Sequence, residues 1–184
     1  RLVARREGAS LSSARTFAVL AHDKGVDARD FAQRLREALM RYGDCTLVDG
    51  ESAHGQTSTW FSALEERVRF VLYLGDGDDR EWRDLCVRQS DCLLLVANAT
   101  EVASVWPEKS CIDAERALHR PRHLVLLHRD GMIAPGAGRR WLDAVPGVAH
   151  HHVRDDKDIE RVARLLTGRS IGLVISGTSV SAPI

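Results

Sequence analysis

Aromatic side chains make up only 5% of this 184-residue sequence. A platform for stacking bases needs several clustered rings, so that mode of nucleic-acid binding is not expected. Charge of one sign is also missing: 26 Lys and Arg balance 26 Asp and Glu. Phosphate-backbone binding depends on a basic excess or patch, so no nucleic-acid partner is expected. No apolar run approaches the ~20 residues that cross a bilayer. The four cysteines, Cys45, Cys86, Cys92 and Cys111, include no CxxC pair. Neither a disulfide framework nor a zinc ribbon is indicated, and a reducing, cytoplasmic setting is the expectation. No metal and no cofactor are expected.

At 184 residues the chain is long enough for one domain with a full core. It opens on Arg1, not Met, as a fragment or processed form would. Residues 1–15, RLVARREGASLSSAR, are basic and small and lack the apolar centre of a signal peptide. They read as a linker or tail after an upstream domain, with a transit peptide as the alternative.

Strand-like and helix-like segments alternate along the rest. TFAVLA (Thr16–Ala21), CTLV (Cys45–Val48), RFVLYL (Arg69–Leu74), DCLLLVANA (Asp91–Ala99), HLVLLH (His123–His128) and the weaker AHHHV (Ala149–Val153) are strands. Between them lie amphipathic helices. One carries Phe31, Leu35, Ala38, Leu39 and Tyr42 at helical spacing, with Asp27 as N-cap and Gly43 as a stop. STWFSALEERV aligns Trp60, Phe61, Leu64 and Val68, and REWRDLCVRQS turns Trp82, Leu85 and Cys86 inward. A short helix holds Trp141 and Leu142. DDKDIERVARLL aligns Ile159, Val162, Ala163 and Leu166 and ends at Gly168. SIGLVI (Ser170–Ile175) follows. Near-continuous apolar strands separated by helices predict an α/β fold, a three-layer Rossmann-like sandwich with a mostly parallel sheet.

Several constellations invite chemistry. HDKGVDARD (His22–Asp30) joins the first strand to a helix, where α/β proteins place a phosphate loop. Lys24 and Gly25 are its candidate nucleotide-binding residues, although it has one glycine and no GK[ST] ending. GDGDD (Gly75–Asp79) offers carboxylates at a strand end, but without the spaced DxDxDG pattern it reads better as a helix cap than as a cation site. His150, His151 and His152 alternate faces on a strand, so at most His150 and His152 share a ligand; no third ligand is evident, and packing or surface histidines are the reading. His123 and His128 read as hydrogen-bonded or solvated strand ends. Trp60, Trp82, Trp106 and Trp141 are either core or a docking surface.

Four blocks in order carry a family resemblance: FAVLAHDKGVDARDFAQRLREAL (Phe17–Leu39), FVLYLGDGDDREWRDLCVRQSDCLLLVANAT (Phe70–Thr100), LVLLHRDGMIAPGAGRRWL (Leu124–Leu142) and HHHVRDDKDIERVARLLTGRSIGLVISG (His150–Gly177). They resemble the neuropathy target esterase group of patatin-like phospholipases, over about Thr16 to Gly177. In that group this stretch lies between upstream cyclic-nucleotide-binding-like modules and the patatin catalytic domain. The resemblance therefore implies a non-catalytic accessory domain of an enzyme that hydrolyses (lyso)phospholipid esters, with those modules, the catalytic domain and membrane lipid as partners. It also implies a location on the cytosolic face of a membrane. The implied organisation is a linker over 1–15, the accessory domain over 16–168, and the first strand of a truncated patatin domain plus a divergent tail over 169–184. The alternative function is a degenerate nucleotide-binding switch domain.

Gly172–Gly177 (GLVISG) matches the start of the patatin strand and glycine turn. Gly177 is the oxyanion-hole remnant. Thr178, Ser179, Val180 and Ser181 replace the residues that should complete the hole, and neither GxSxG nor its aspartate follows. No catalytic residue of that mechanism is expected in this chain. The tail SGTSVSAP also fits the serine box of subtilisin-like proteases, which would make Ser179 a nucleophile. Its partners would be Asp49 and His54, only five residues apart in one loop, so the protease reading is remote. A frameshift, a cloning scar or natural divergence would each explain residues 178–184.

Overall fold

The computed structural model describes residues 14–106, 120–128, 135–146 and 148–169. Six strands form one sheet: β1 (Thr16–Ala21), β2 (Cys45–Asp49), β3 (Phe70–Gly75), β4 (Cys92–Asn98), β5 (Arg122–Leu127) and β6 (Ala149–Val153). Their order is β2-β3-β1-β4-β5-β6, and every pairing is parallel. The expected mostly parallel sheet is thus parallel throughout the described residues. β1, β3 and β4 are buried along their whole length. Strands covered on both faces need no polar alternation, which is why these runs are so uniformly apolar. β2 and β6 are the edges, and their burial is partial.

Helices cover both faces. On one side α1 (Ala28–Met40) and α6 (Asp156–Leu166) pack against each other. Phe31, Leu35, Ile159 and Leu166 meet Phe17, Val19, Leu72 and Leu94 there. On the other side lie α2 (Gly50–Ala53), α3 (Ser58–Arg67), α4 (Arg80–Gln89) and α5 (Ala137–Ala144). Phe61, Trp82, Cys86 and Trp141 meet Leu20, Tyr73, Leu95 and Leu124. The odd and even residues of each strand feed the two cores separately, as strand periodicity requires.

Caps anticipated from the sequence are present. Asp27 accepts from the Asp30 N–H at 3.1 Å, whereas Asp155, which the sequence did not single out as a cap, accepts from the Asp158 N–H at 3.1 Å. Gly168 closes α6 with φ +67°, its N–H bonding Leu165 O while Arg169 N–H reaches Arg164 O. Other expectations need correction. The strand expected over Cys45–Val48 extends to Asp49, which also opens α2, because Asp49 and Ser52 form a reciprocal capping box. Val68 leaves the helix: α3 stops at Arg67 and Val68 is extended. In α4, Leu85 is only half-buried, and Arg83 and Val87 turn inward with Trp82 and Cys86.

Gly43 does not stop α1 directly, since the helix ends at Met40 with Arg41 as its C-cap. Its role is in the turn to β2, at φ +151°. A Cβ there would lie 2.7 Å from Arg69 Cγ and 2.8 Å from Arg69 Cβ. Gly43→Ala is therefore expected to lower stability by about 2 kcal/mol, from backbone strain plus that clash, in chemical denaturation.

Candidate functional site

The connection out of β1 runs to α1 on one face, and the connection out of β3 runs to α4 on the other. Because β1 and β3 are neighbours, their loops part at the carboxyl end of the sheet. A crevice outside such a point is where open α/β sheets bind ligands. Here it measures about 370 Å³ and is lined by His22, Asp23 and Lys24 from the first loop, Asp76, Gly77 and Asp78 from the second, and Arg80 and Arg83 of α4.

The first loop carries Lys24 and Gly25, and the structure shows what its polar groups do. Gly25 N–H donates to Asp23 Oδ1 at 2.8 Å, and Asp30 N–H is taken by the Asp27 carboxylate. A phosphate at a helix N-terminus uses such N–H groups. Lys24 Nζ pairs with Asp78 at 2.5 Å, bridging the two loops at the surface. Asn98 of β4 holds the loop from behind, through Gly25 O at 3.0 Å.

Arg83 forms the crevice floor. Its guanidinium donates to Gly75 O at 2.6 Å and Ala21 O at 2.8 Å, joining the carboxyl ends of β3 and β1. Nothing in the sequence singled this residue out: an arginine in the amphipathic run REWRDLC is ordinarily solvated. Beside it Trp82 Nε1 donates to Leu74 O at 2.7 Å. His22 was also missed, although it lies at the crevice wall against Trp106 and Trp141, with ring centroids 5.1 and 4.9 Å away.

GDGDD acts as the expected cap and more. Asp79 accepts from Trp82 N–H at 3.0 Å, while Asp76 and Asp78 pair with Arg29 and Lys24. Among the described residues no group of three or more His, Cys, Asp or Glu is placed to hold a metal ion. Asp49 accepts from Ser52 N–H at 3.0 Å and pairs with Arg29 at 2.9 Å; that backbone bond first, and then Arg29, lower its pKa to about 2. His54 is the C-cap residue of α2. Ser179, Gly177 and SIGLVI lie outside the described residues.

The histidines of β6 sort onto two faces, as their alternation required. His151 and His152 find ring partners in His123 of β5 and in His128 just after it, while His150 and His152 also meet edge-on with centroids 5.5 Å apart. His151 Nε2 lies 2.8 Å from His123 Nδ1, and His152 Nδ1 lies 2.7 Å from His128 Nε2. His123 and His128 are thus hydrogen-bonded strand ends. The tryptophans resolve mainly as core: Trp82, Trp106 and Trp141 are buried, and Trp60 is half-buried. Cys45 and Cys92 are buried thiols inside strands, and burial raises both to about 12, so neither is a nucleophile at neutral pH.

These features define a class: a parallel α/β sandwich of Rossmann-like form whose helix-entry loop is tied up by its own carboxylates. Within that class, the family model for the Neuropathy Target Esterase family P-loop like domain matches residues 13–169, and the chain belongs to that family. Among relatives, patatin-like phospholipase domain-containing protein 7 of Mus musculus is 26% identical over 203 residues, covering 88% of this chain and 15% of the relative. Lysophospholipase nte1 of Aspergillus terreus is 30% identical over 159 residues, covering 76% and 10%. Lysophospholipase NTE1 of Mycosarcoma maydis is 30% identical over 156 residues, covering 76% and 8%. The chain therefore spans less than a sixth of the length of these relatives. Among the described residues no helix is long and apolar enough to cross a membrane.

Proposed function

We propose that this chain is the P-loop-like accessory domain of a patatin-type lysophospholipase, and that it contributes no nucleophile to phospholipid hydrolysis. Residues 16–168 form the domain, 1–15 a linker, and 169–184 the passage into the catalytic segment. Its work is to hold that segment relative to upstream cyclic-nucleotide-binding-like modules, on the cytosolic face of a membrane. The observation that carries this reading is the helix-entry loop. Gly25 N–H and Asp30 N–H are bonded to Asp23 and Asp27, so the loop serves as a strut between sheet and helix. Family membership and the printed names of the relatives support the enzyme class.

The chain alone is expected to leave a long-chain lysophospholipid intact, and the same chain extended through a downstream GxSxG segment to hydrolyse it. Fatty-acid release by the chain alone would overturn the reading. Calorimetry with ATP or GTP and magnesium is expected to show no binding; a clear isotherm would favour the switch-domain alternative and its Lys24–Gly25 loop.

A further inference from the structure

Three polar side chains at the carboxyl end of β1 form a hydrogen-bonded line that scaffolding does not require. Ser104 Oγ lies 3.1 Å from His22 Nε2, and His22 Nδ1 lies 3.1 Å from Asp23 Oδ2. The direction of each bond follows from what each group can do. An ionised carboxylate only accepts, so the proton on His22 sits at Nδ1. Nε2 then presents a lone pair, and the Ser104 hydroxyl donates to it. This is the tautomer in which an imidazole takes a hydroxyl proton.

The surroundings hold the line in place. The other oxygen of Asp23 is pinned by Gly25 N–H at 2.8 Å. The His22 hydrogen bond, ahead of the Gly25 N–H, keeps the Asp23 carboxyl below the ordinary range, so it stays ionised at neutral pH. The His22 ring is crossed edgewise by Trp106 and Trp141, which are 1% and 0% exposed and limit its rotation. The base is sheltered, with the His22 side chain 10% exposed, while Ser104 is open to solvent. Both flanking indole N–H groups are buried and have no hydrogen-bond partner among the described residues. Val102 and Val105, 86% and 64% exposed, stand on the same loop and offer an apolar shelf.

We propose that Ser104 is a nucleophilic serine, with His22 as its general base and Asp23 as the positioning residue, and that it accepts the acyl group of small carboxylic esters. The site is separate from any patatin serine and goes beyond the accessory role. Ser104 Oγ forms a bond to the ester carbonyl carbon while its proton passes to His22 Nε2. Collapse of the tetrahedral adduct breaks the bond to the alkoxy oxygen, which leaves with that proton as the alcohol. Water then attacks the acyl-Ser104 carbonyl and gives its proton to His22. The carboxylic acid departs, and Ser104 recovers its hydrogen. The sum is ester plus water giving acid plus alcohol, with no other reactant.

The test is a fluorophosphonate probe on the 184-residue chain, with the adduct located by peptide mass mapping and the fold of each variant checked by circular dichroism. The probe forms a serine–phosphorus bond, fluoride leaves, and the proton goes to His22. One adduct at Ser104 is expected. Ser104→Ala should abolish it and Ser179→Ala should leave it intact. Asp23→Asn should slow labelling by roughly 100-fold, and Asp23→Glu should restore part of the rate, which loss of a merely structural contact would not produce. Ser104 and Asp23 are exposed, so these variants should fold. A folded wild-type chain that takes no label, or labelling that survives Ser104→Ala, overturns the proposal. Lysophospholipid hydrolysis tests the accessory reading on its own, so the two fail independently.

Discussion

Arg83→Met is expected to lower the unfolding free energy by about 3–5 kcal/mol in urea or guanidinium titrations. The side chain is 8% exposed, and its guanidinium is the donor for both Gly75 O and Ala21 O. Methionine fills similar space and donates nothing. Each carbonyl would then lose a charged donor, at a cost of ~1.5–3 kcal/mol apiece for a hydrogen bond to an ionised group. The damage also spreads. β1 and β3 are bonded through their ladder from Thr16↔Val71 to Leu20↔Gly75, and beyond that register the arginine joins their ends. Losing it frees the loops that form the crevice. Arg83→Lys separates geometry from charge, since an ammonium keeps the charge but lacks the planar fork that reaches two divergent oxygens. It should recover less than half of the loss. A Met variant within 1 kcal/mol of wild type would mean that water replaces the guanidinium and that the strand ends need no tether.

Arg83 also marks the limit of what the sequence discloses. Local chemistry was legible. Apolar runs placed all six strands to within a residue or two, because a parallel strand buried on both faces leaves little room for polar side chains. Asp27 and Gly168 act where their neighbours require caps. Thinness of glycine in the His22–Asp30 loop, and its lack of GK[ST], could also be read directly. What could not be read were pairings across the fold. Ser104 and His22 are 82 positions apart, and His123 and His151 are 28 apart. No periodicity links such residues; the strand order brings them together. Alternation correctly separated His151 from its neighbours, but the identity of its partner depended on β5 lying beside β6. Strand order itself was not anticipated. The sequence 2-3-1 at the start of this sheet, in place of the 3-2-1 of the dinucleotide fold, puts β3 and its acidic loop against β1. That single exchange brings Asp78 to Lys24 and Arg83 to Ala21 O.

Acidification should unfold this protein through the His123–His151 pair before its carboxylates titrate. The two rings stack with centroids 5.1 Å apart and share one hydrogen bond, His123 Nδ1 to His151 Nε2 at 2.8 Å. Burial lowers His123 to about 4. Burial also lowers His151 to about 4, with His123, Arg161, His150 and His152 adding repulsion. His152 is shifted in the same direction, again first by burial. Such groups are neutral in the folded chain and titrate near 6.5 once unfolded. Below pH 6.5 the unfolded chain therefore binds more protons, and stability falls with pH. Stability should be level above pH 6.5 and drop by about 3–4 kcal/mol between pH 6.5 and pH 4, taking the pair as one coupled unit. The lowered carboxylates, Asp23, Asp49 and Asp158, act in a separate window, because their contribution is lost only as pH falls below about 4. Urea titrations at pH 7, 6, 5 and 4.5 would trace the slope. In a His123→Leu/His151→Leu variant most of it should vanish, since leucine fills the sheet face without a titratable group. Equal losses in wild type and the double variant over that range would place the acid sensitivity elsewhere. A flattened slope would show that two histidines sharing one bond set the acid limit of this fold.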